Sequence, residues 1–287
     1  MKIAVVGSSG YIAGYLINRF KNQQGITSIL TIDRLNADQK LELLKAEEFD
    51  YNVLNDVDYV LFTAAISGPD QCADDFQTCW KINVEGTVTF IRHALSRNCR
   101  VLFLSSDAVF GDDDGKVFHE ESPTCAVTAY GRMKKAVEDE FISERELFKA
   151  IRLSYVVSSH DKFIKYCLEC IKNNSCAEVF HPFYRNCVTL SEVGDIIEWM
   201  ICHSEDYPHR FLNAAGLELI SRVRLADELN RHTGGMLRYQ VTMPDREFFR
   251  NRPRITQMES RYLWTYEILK AKSFTERFRA ELEGVIL

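Results

Sequence analysis

Along residues 1–157, short apolar runs alternate with longer stretches in which apolar positions recur every three or four residues. The apolar runs are "KIAVV" (2–6), "SILTID" (28–33), "DYVLFTAA" (58–65), "RVLFLSS" (100–106) and "FKAIRLSYVV" (148–157). Between them, "YLINRFKNQ", "QTCWKINVEGTVTFIRHAL" and "AYGRMKKAVEDEFI" have helical periodicity. Strands alternating with helices at this spacing predict βαβ units and an α/β fold of Rossmann type, with a doubly wound parallel sheet. The runs are nearly continuous in Val, Ile, Leu and Phe, as strands are when helices cover both faces of their sheet.

The rhythm changes after about residue 158, where segments become short and mixed. Charged helices such as "SRVRLADELNRH" follow, then the arginine-rich "DREFFRNRPR". No Gly-, Ser- or Pro-rich linker divides the halves, and no repeat is visible. The expectation is a Rossmann domain over 1–158 with a returning segment near 187–203. A smaller α/β lobe, formed by 159–186 and 204–287, then closes a cleft of the kind that holds ligands.

Composition narrows the choices. The chain is 46% hydrophobic and 26% charged, with a net charge of −6. That balance is ordinary for a soluble globular protein with a core, and the net charge argues against a nucleic-acid or anionic-membrane surface as main partner. Nothing reads as a signal peptide or membrane span, and "MKIAVVG" is a short run ending at a glycine, so a cytoplasmic location is expected. Nine irregularly spaced cysteines fit a reducing compartment. Cys167 and Cys170, in "KYCLECIKNNSC", lie inside an amphipathic run, which suits buried thiols better than a redox or metal pair. No metal is expected; His119 and Asp112 to Asp114 read as a solvated loop.

Gly7, Gly10 and Ala13 stand in "GSSGYIAG", between the first strand and the first helix. Glycine at 7 permits a tight turn, and glycine at 10 lets backbone approach a pyrophosphate. A small residue at 13 lets helix and sheet pack closely. The helix start, at Tyr11 and Ile12, presents its amides to the phosphates. Asp33 ends the second strand, where a carboxylate accepts from the adenine ribose hydroxyls and repels a 2′-phosphate. NAD is the expected cofactor, and Arg34, able to pair with a 2′-phosphate, keeps NADP open.

Tyr130 and Lys134 are one helical turn apart on one face. A free phenol, with a pKa of about 10, is a poor proton donor or acceptor at neutral pH. A nearby ammonium and an oxidised nicotinamide both favour phenolate, which suits the pair to proton transfer at a carbonyl or alcohol. Ser106 closes the strand before this helix, at the end that faces the ligand crevice in parallel sheets.

These pieces together resemble the extended short-chain dehydrogenase/reductases, a family of nucleotide-sugar epimerases, dehydratases and reductases. The matching segments, in order over roughly residues 1–155, are "GSSGYIAG", "FTAAIS", "KINVEGT", "LSSDAVFG", "EESP" and "AYGRMK". The resemblance implies a catalytic triad of Ser106, Tyr130 and Lys134, with Lys134 also holding the nicotinamide ribose. Ala64 and Ala65 would lie along the cofactor, and Asn83 would support the site. Ser67, Asp107 and His160 become substrate-facing candidates. Arg185 and Arg252, with Arg254, suit a nucleotide diphosphate because guanidinium pairs bidentately with phosphate oxygens.

Departures from the family pattern also inform. Family dehydratases of the dTDP-glucose type carry an Asp-Glu pair after the catalytic hydroxyl residue; here Asp107 is followed by Ala108, so that dehydration is not expected. Ala13 replaces the third glycine, and the usual proline ahead of the tyrosine is missing from "TCAVTAY". "YRNCVTLSEV", "FLNAAGLELISRVRLADEL" and "RPRITQMES" are most similar to the dTDP-4-dehydrorhamnose reductase group. The expectation is an NAD(P)-dependent oxidoreductase reducing a 4-keto sugar on a nucleotide. A 4-epimerase would run the same chemistry both ways. A non-catalytic regulatory subunit, like the β subunit of methionine adenosyltransferase, is the alternative of another class. A homodimer is compatible with either.

Overall fold

The computed structural model describes residues 1–113, 115–144 and 146–283. The first half follows the alternation of its sequence. Strand β1 (Lys2–Val6) leads through the glycine-rich turn into α1 (Tyr11–Phe20), then β2 (Ser28–Asp33) and the short β3 (Gln39–Lys40). β4 (Tyr59–Phe62) is followed by α2 (Pro69–Asp74), α3 (Phe76–Trp80), one π-helical stretch (Lys81–Gly86) and α4 (Thr87–Leu95). β5 (Arg100–Ser106), β6 (Val117–Phe118), α5 (Ala129–Glu140), β7 (Phe148–Leu153) and β8 (Val156–Val157) complete this half. "QTCWKINVEGTVTFIRHAL" is thus not one regular helix, because the π-helical stretch interrupts it.

Seven parallel strands form the main sheet in the order β12-β7-β5-β4-β1-β2-β3, where β12 is Phe211–Ala214. The order reverses between β1 and β4, which opens a crevice at the carboxyl ends of those strands. One core packs Ile3, Val5 and Leu61 against Ala13 and Leu16 of α1 and Ile196, Ile197 and Met200. The other packs Ala4, Val6 and Phe62 against Phe90 and Ile91 of α4 and Met133 and Val137 of α5. Alternate residues of a single strand feed the two cores, which is why the strands β1 and β4 are apolar on both faces.

The chain then supplies α6 (Lys162–Lys172), β9 (Ala177–Phe180), β10 (Tyr184–Arg185), β11 (Val188–Thr189) and α7 (Leu190–Cys202). β12 follows, then β13 (Ile220–Ser221), α8 (Arg222–His232), β14 (Tyr239–Thr242), β15 (Ile255–Met258), α9 (Tyr262–Thr265) and α10 (Phe274–Glu281). A capping box between Thr189 and Glu192 starts α7, which returns to pack beside α1, where Arg19 meets Asp195 and Glu198 at 2.7 Å. Phe211–Ala214, grouped from the sequence with the smaller lobe, is the edge strand of the large sheet; four residues are too short to announce a strand by alternation. A four-stranded sheet in the order β13-β10-β15-β6 and the pair β14-β9 build the smaller lobe. Its core joins Ile164, Cys167 and Cys170 of α6 to Leu225, Leu229, Phe274 and Phe278.

Candidate active site

The turn after β1 is built by close approach. Gly7 has φ +83°, and a β-carbon there would stand 2.7 Å from the backbone nitrogen and Cα of Ala64. Only glycine satisfies both demands. Gly10 is the N-cap of α1 and offers no side chain to its first turn. The first helical bond runs from Gly14 N to Gly10 O at 2.8 Å, so the amides of Tyr11, Ile12 and Ala13 lie ahead of it, free for phosphate oxygens. Asp33, at the end of β2, accepts from Ser9 N and Ser9 Oγ, both at 2.8 Å, through Oδ2. Its Oδ1 accepts from Arg34 N at 2.6 Å. A ribose diol would replace the Ser9 hydroxyl on this carboxylate. These residues fit a dinucleotide. Tyr11, which burial holds above the usual phenol range, bonds through its hydroxyl to Ser158 and ties the turn to the loop after β8.

Asn83 sits within the π-helical stretch and is 3% exposed. Its Oδ1 accepts from Ile66 N and its Nδ2 donates to Ile66 O, each at 2.8 Å. This carboxamide fixes the loop that carries Ala64, Ala65 and the exposed Ser67 past the end of β4. The helix defect aims the side chain there, a common use of such defects.

Ser106 is the last residue of β5, and its Oγ accepts from Ala108 N at 3.2 Å and donates to Asp107 Oδ1 at 3.1 Å. Thr128 caps α5 by accepting from Gly131 N at 3.1 Å. Gly131 lets the helix settle against the Ala108 carbonyl, where a β-carbon would be 2.3 Å away. Tyr130 and Lys134 therefore stand on the helix that packs against the turn following Ser106. Lys134 Nζ donates to Leu104 O of β5 at 2.7 Å, lies 4.4 Å from the Phe103 ring centre and 5.7 Å from that of Tyr130. The structure brings together the three residues read from the sequence as catalytic.

Their electrostatics differ from the expectation. Burial pushes the Tyr130 phenol above its ordinary value, and the Cys72 thiol and Asp107 add to the rise. Burial also lowers Lys134 to about 7, against an opposing pull from Glu138 and Cys72. A lysine desolvated this strongly does not by itself draw Tyr130 toward phenolate. Of the two influences expected from the sequence, that leaves the positive nicotinamide.

Asp107 is buried, and its Oδ2 makes no hydrogen bond. Burial raises its pKa while Arg185, whose Nε lies 3.4 Å from Oδ2, opposes the rise. Arg185 is itself 9% exposed. Its Nη1 donates to Tyr184 O at 2.6 Å and its Nη2 to Pro253 O at 2.8 Å. Its donors hold the chain of the smaller lobe beside Ser106. Arg252 pairs with Asp70 of α2, and Asn251 Nδ2 reaches the same carboxylate at 3.2 Å, which bridges the two lobes. Arg254 is exposed, over the Phe249 ring. His160 is exposed, with Nδ1 2.9 Å from Ser159 Oγ. His119 Nε2 lies 3.0 Å from Arg261 Nη2; Asp114 lies outside the described residues.

Asp70, which pairs with Arg252, and Arg222, whose Nη1 donates to the Tyr155 hydroxyl at 3.0 Å, were not singled out from the sequence, because these contacts depend on which loops meet. Cys167 and Cys170 are both buried and free, and burial raises the Cys167 thiol to about 12. Among the described residues no group of three or more His, Cys, Asp or Glu could hold a metal ion, and no helix is long and apolar enough to cross a membrane.

The parallel sheet, the glycine turn at its switch point and the Ser-Tyr-Lys set beside it define an NAD(P)-binding protein of the short-chain dehydrogenase type. The chain belongs to the NAD dependent epimerase/dehydratase family, whose model matches residues 3–199. It is 24% identical over 160 residues to UDP-glucose 4-epimerase 1 of Oryza sativa subsp. japonica, a match taking in 48% of this chain and 45% of that protein. Its fold is similar to that of dTDP-4-dehydrorhamnose reductase from Bacillus anthracis, solved with NADP, at TM-score 0.85 and 15% identity over 99% of each chain. It is also similar to UDP-glucuronic acid 4-epimerase from Bacillus cereus, solved with NAD, at TM-score 0.82 and 16% identity over 98% of each chain.

Proposed function

We propose that this protein reduces the 4-keto group of a nucleotide-activated sugar. The observation that carries the reading is the placement of Ser106 at the end of β5 under the turn against which α5, bearing Tyr130 and Lys134, is packed. A substrate oxygen in the crevice can meet both hydroxyls there. A reduced nicotinamide cofactor, held here by the Gly7–Gly10 turn and Asp33, would supply the hydride for the carbonyl carbon. Ser106 then donates a hydrogen bond to the carbonyl oxygen, and Tyr130 gives that oxygen its proton. A phenol kept protonated by burial suits this direction, since it enters the step as an acid. Lys134, lowered to about 7, can exchange a proton near neutrality and restore the phenol.

Similarity over the whole fold to dTDP-4-dehydrorhamnose reductases supports this direction of reaction. The family model and the rice relative support a second reading, 4-epimerisation, in which the same residues first oxidise and then reduce the sugar. Mass spectrometry of nucleotide released from freshly purified protein separates them. A reductase yields little cofactor and oxidises added NADH or NADPH with a dTDP- or UDP-4-keto sugar. An epimerase yields stoichiometric NAD and needs none added. Absence of both behaviours with these substrates overturns the catalytic reading.

A further inference from the structure

Arg222, the first residue of α8, is half-buried among three aromatic rings. Its guanidinium carbon lies 4.4 Å from the ring centres of Tyr155 and Phe163, and 5.3 Å from that of Phe183. Tyr155 follows the carboxyl end of β7, the sheet end that faces the crevice. Phe183 also carries Arg185 at 4.6 Å, and Arg185 in turn holds Asp107 beside Ser106. Arg222 thus lies on the wall of the smaller lobe, one aromatic ring away from the residues that flank the reacting centre.

Among the described residues the charge there has no carboxylate within ion-pair distance. The ion pairs among the described residues include Arg185 and Arg252 but not Arg222. One of its donors, Nη1, bonds the Tyr155 hydroxyl at 3.0 Å. The nearby carboxylate of Asp161 is occupied otherwise: Oδ2 accepts from Tyr155 at 2.5 Å, and Oδ1 accepts from Phe163 N and Ile164 N at 3.1 and 3.2 Å. Aromatic faces favour a cation and hold the planar group, while shielding from water raises the advantage of an anionic partner. Arg185, by contrast, already serves the Tyr184 and Pro253 carbonyls and Asp107, and Arg252 serves Asp70.

The geometry points to Arg222 as the oxyanion-binding cation of the substrate site, in place of Arg185 and Arg252. This rests on the nucleotide-sugar reading above, and assigns the contact with the substrate's anionic group to a residue that the sequence reading did not single out. The oxyanion has two sources in such a substrate, the diphosphate or a carboxylate on the sugar. Calorimetry on the full chain with NADH present, using UDP, UDP-glucose and UDP-glucuronic acid as probes, distinguishes them. Arg222→Gln weakens all three probes by tenfold or more if the diphosphate is read, and UDP-glucuronic acid alone if the carboxylate is read. Arg222→Lys retains part of the affinity, and NADH binding stays within threefold in both variants, which also reports that they fold. Unchanged affinity for every probe in Arg222→Gln overturns this assignment alone, as does a loss found in Arg252→Gln instead. Failure of the unmodified protein to bind any probe, while it binds NADH, overturns the nucleotide-sugar reading and this assignment with it.

Discussion

A β-carbon on Gly131 would stand 2.3 Å from the carbonyl oxygen of Ala108, closer than any real contact of that kind. The helix bearing Tyr130 and Lys134 therefore packs on the turn after Ser106 only because residue 131 has no side chain. Gly131→Ala forces α5 away from that turn. A displacement of about 1 Å can cost 100-fold in rate, so kcat should drop by tenfold or more while NADH affinity changes less. Steady-state kinetics beside a thermal melt checks this; wild-type kcat in the variant would show that the close packing is not what sets the geometry.

Tyr130→Phe removes the proton donor and leaves the packing of its ring intact. General acid catalysis contributes about 10²–10⁴-fold, and kcat should fall within that range. Cofactor titration by fluorescence should show NADH binding within a few fold of wild type. Near-full turnover by the Phe variant with a substrate the native protein accepts assigns the acid elsewhere.

Asp33 is the acceptor at the end of β2, and its carboxylate already gathers Ser9 N and Oγ at 2.8 Å. NADH should bind more tightly than NADPH, and Asp33→Ala should narrow the ratio. Tighter NADPH binding by the unmodified protein would make Arg34 the controlling residue.

Asn83 makes two hydrogen bonds of 2.8 Å to one residue, Ile66. Asn83→Ala leaves that amide and carbonyl without partners, at a cost of about 2 kcal/mol. Chemical denaturation should report this loss, together with a raised KM for cofactor, since the loop bearing Ala64 and Ala65 loosens. A variant as stable as wild type would show that water replaces the carboxamide without penalty.

Lys134, at about 7, and Lys149, at about 8, are both lowered by burial from 10.5. Above these values the folded chain has released protons that the unfolded chain keeps until about pH 10.4. The unfolded state binds more protons in that window, so stability should rise with pH from about 7 to 10. Each lysine contributes up to about 1.4 kcal/mol per pH unit. Lys134→Met should flatten the rise measured by denaturation at pH 7, 8 and 9 without cofactor. An equally steep rise in the variant means that Lys134 keeps its charge when buried.

The sequence by itself determined the elements whose chemistry is local. Gly7 stands as the glycine of a tight turn between strand and helix, though its close approach to Ala64 was set only by the fold, and Asp33 ends the next strand. The spacing of Tyr130 and Lys134 is a helical repeat, legible without any neighbour. Ser106 could be placed because parallel strands present their carboxyl ends to one crevice. What the arginines do was decided only by tertiary structure. Arg185 and Arg252 stand in motifs that suggest phosphate binding, yet folding turns one toward Asp107 and the carbonyls of Tyr184 and Pro253, and the other toward Asp70. Arg222 stands in a plain amphipathic helix, yet folding surrounds it with Tyr155, Phe163 and Phe183, which come from three separate segments. The protonation of Tyr130 and Lys134 was likewise out of reach, because burial is a property of the assembled core. A sequence records which groups are available; the partners and the water that remain beside each charge are fixed when distant segments meet.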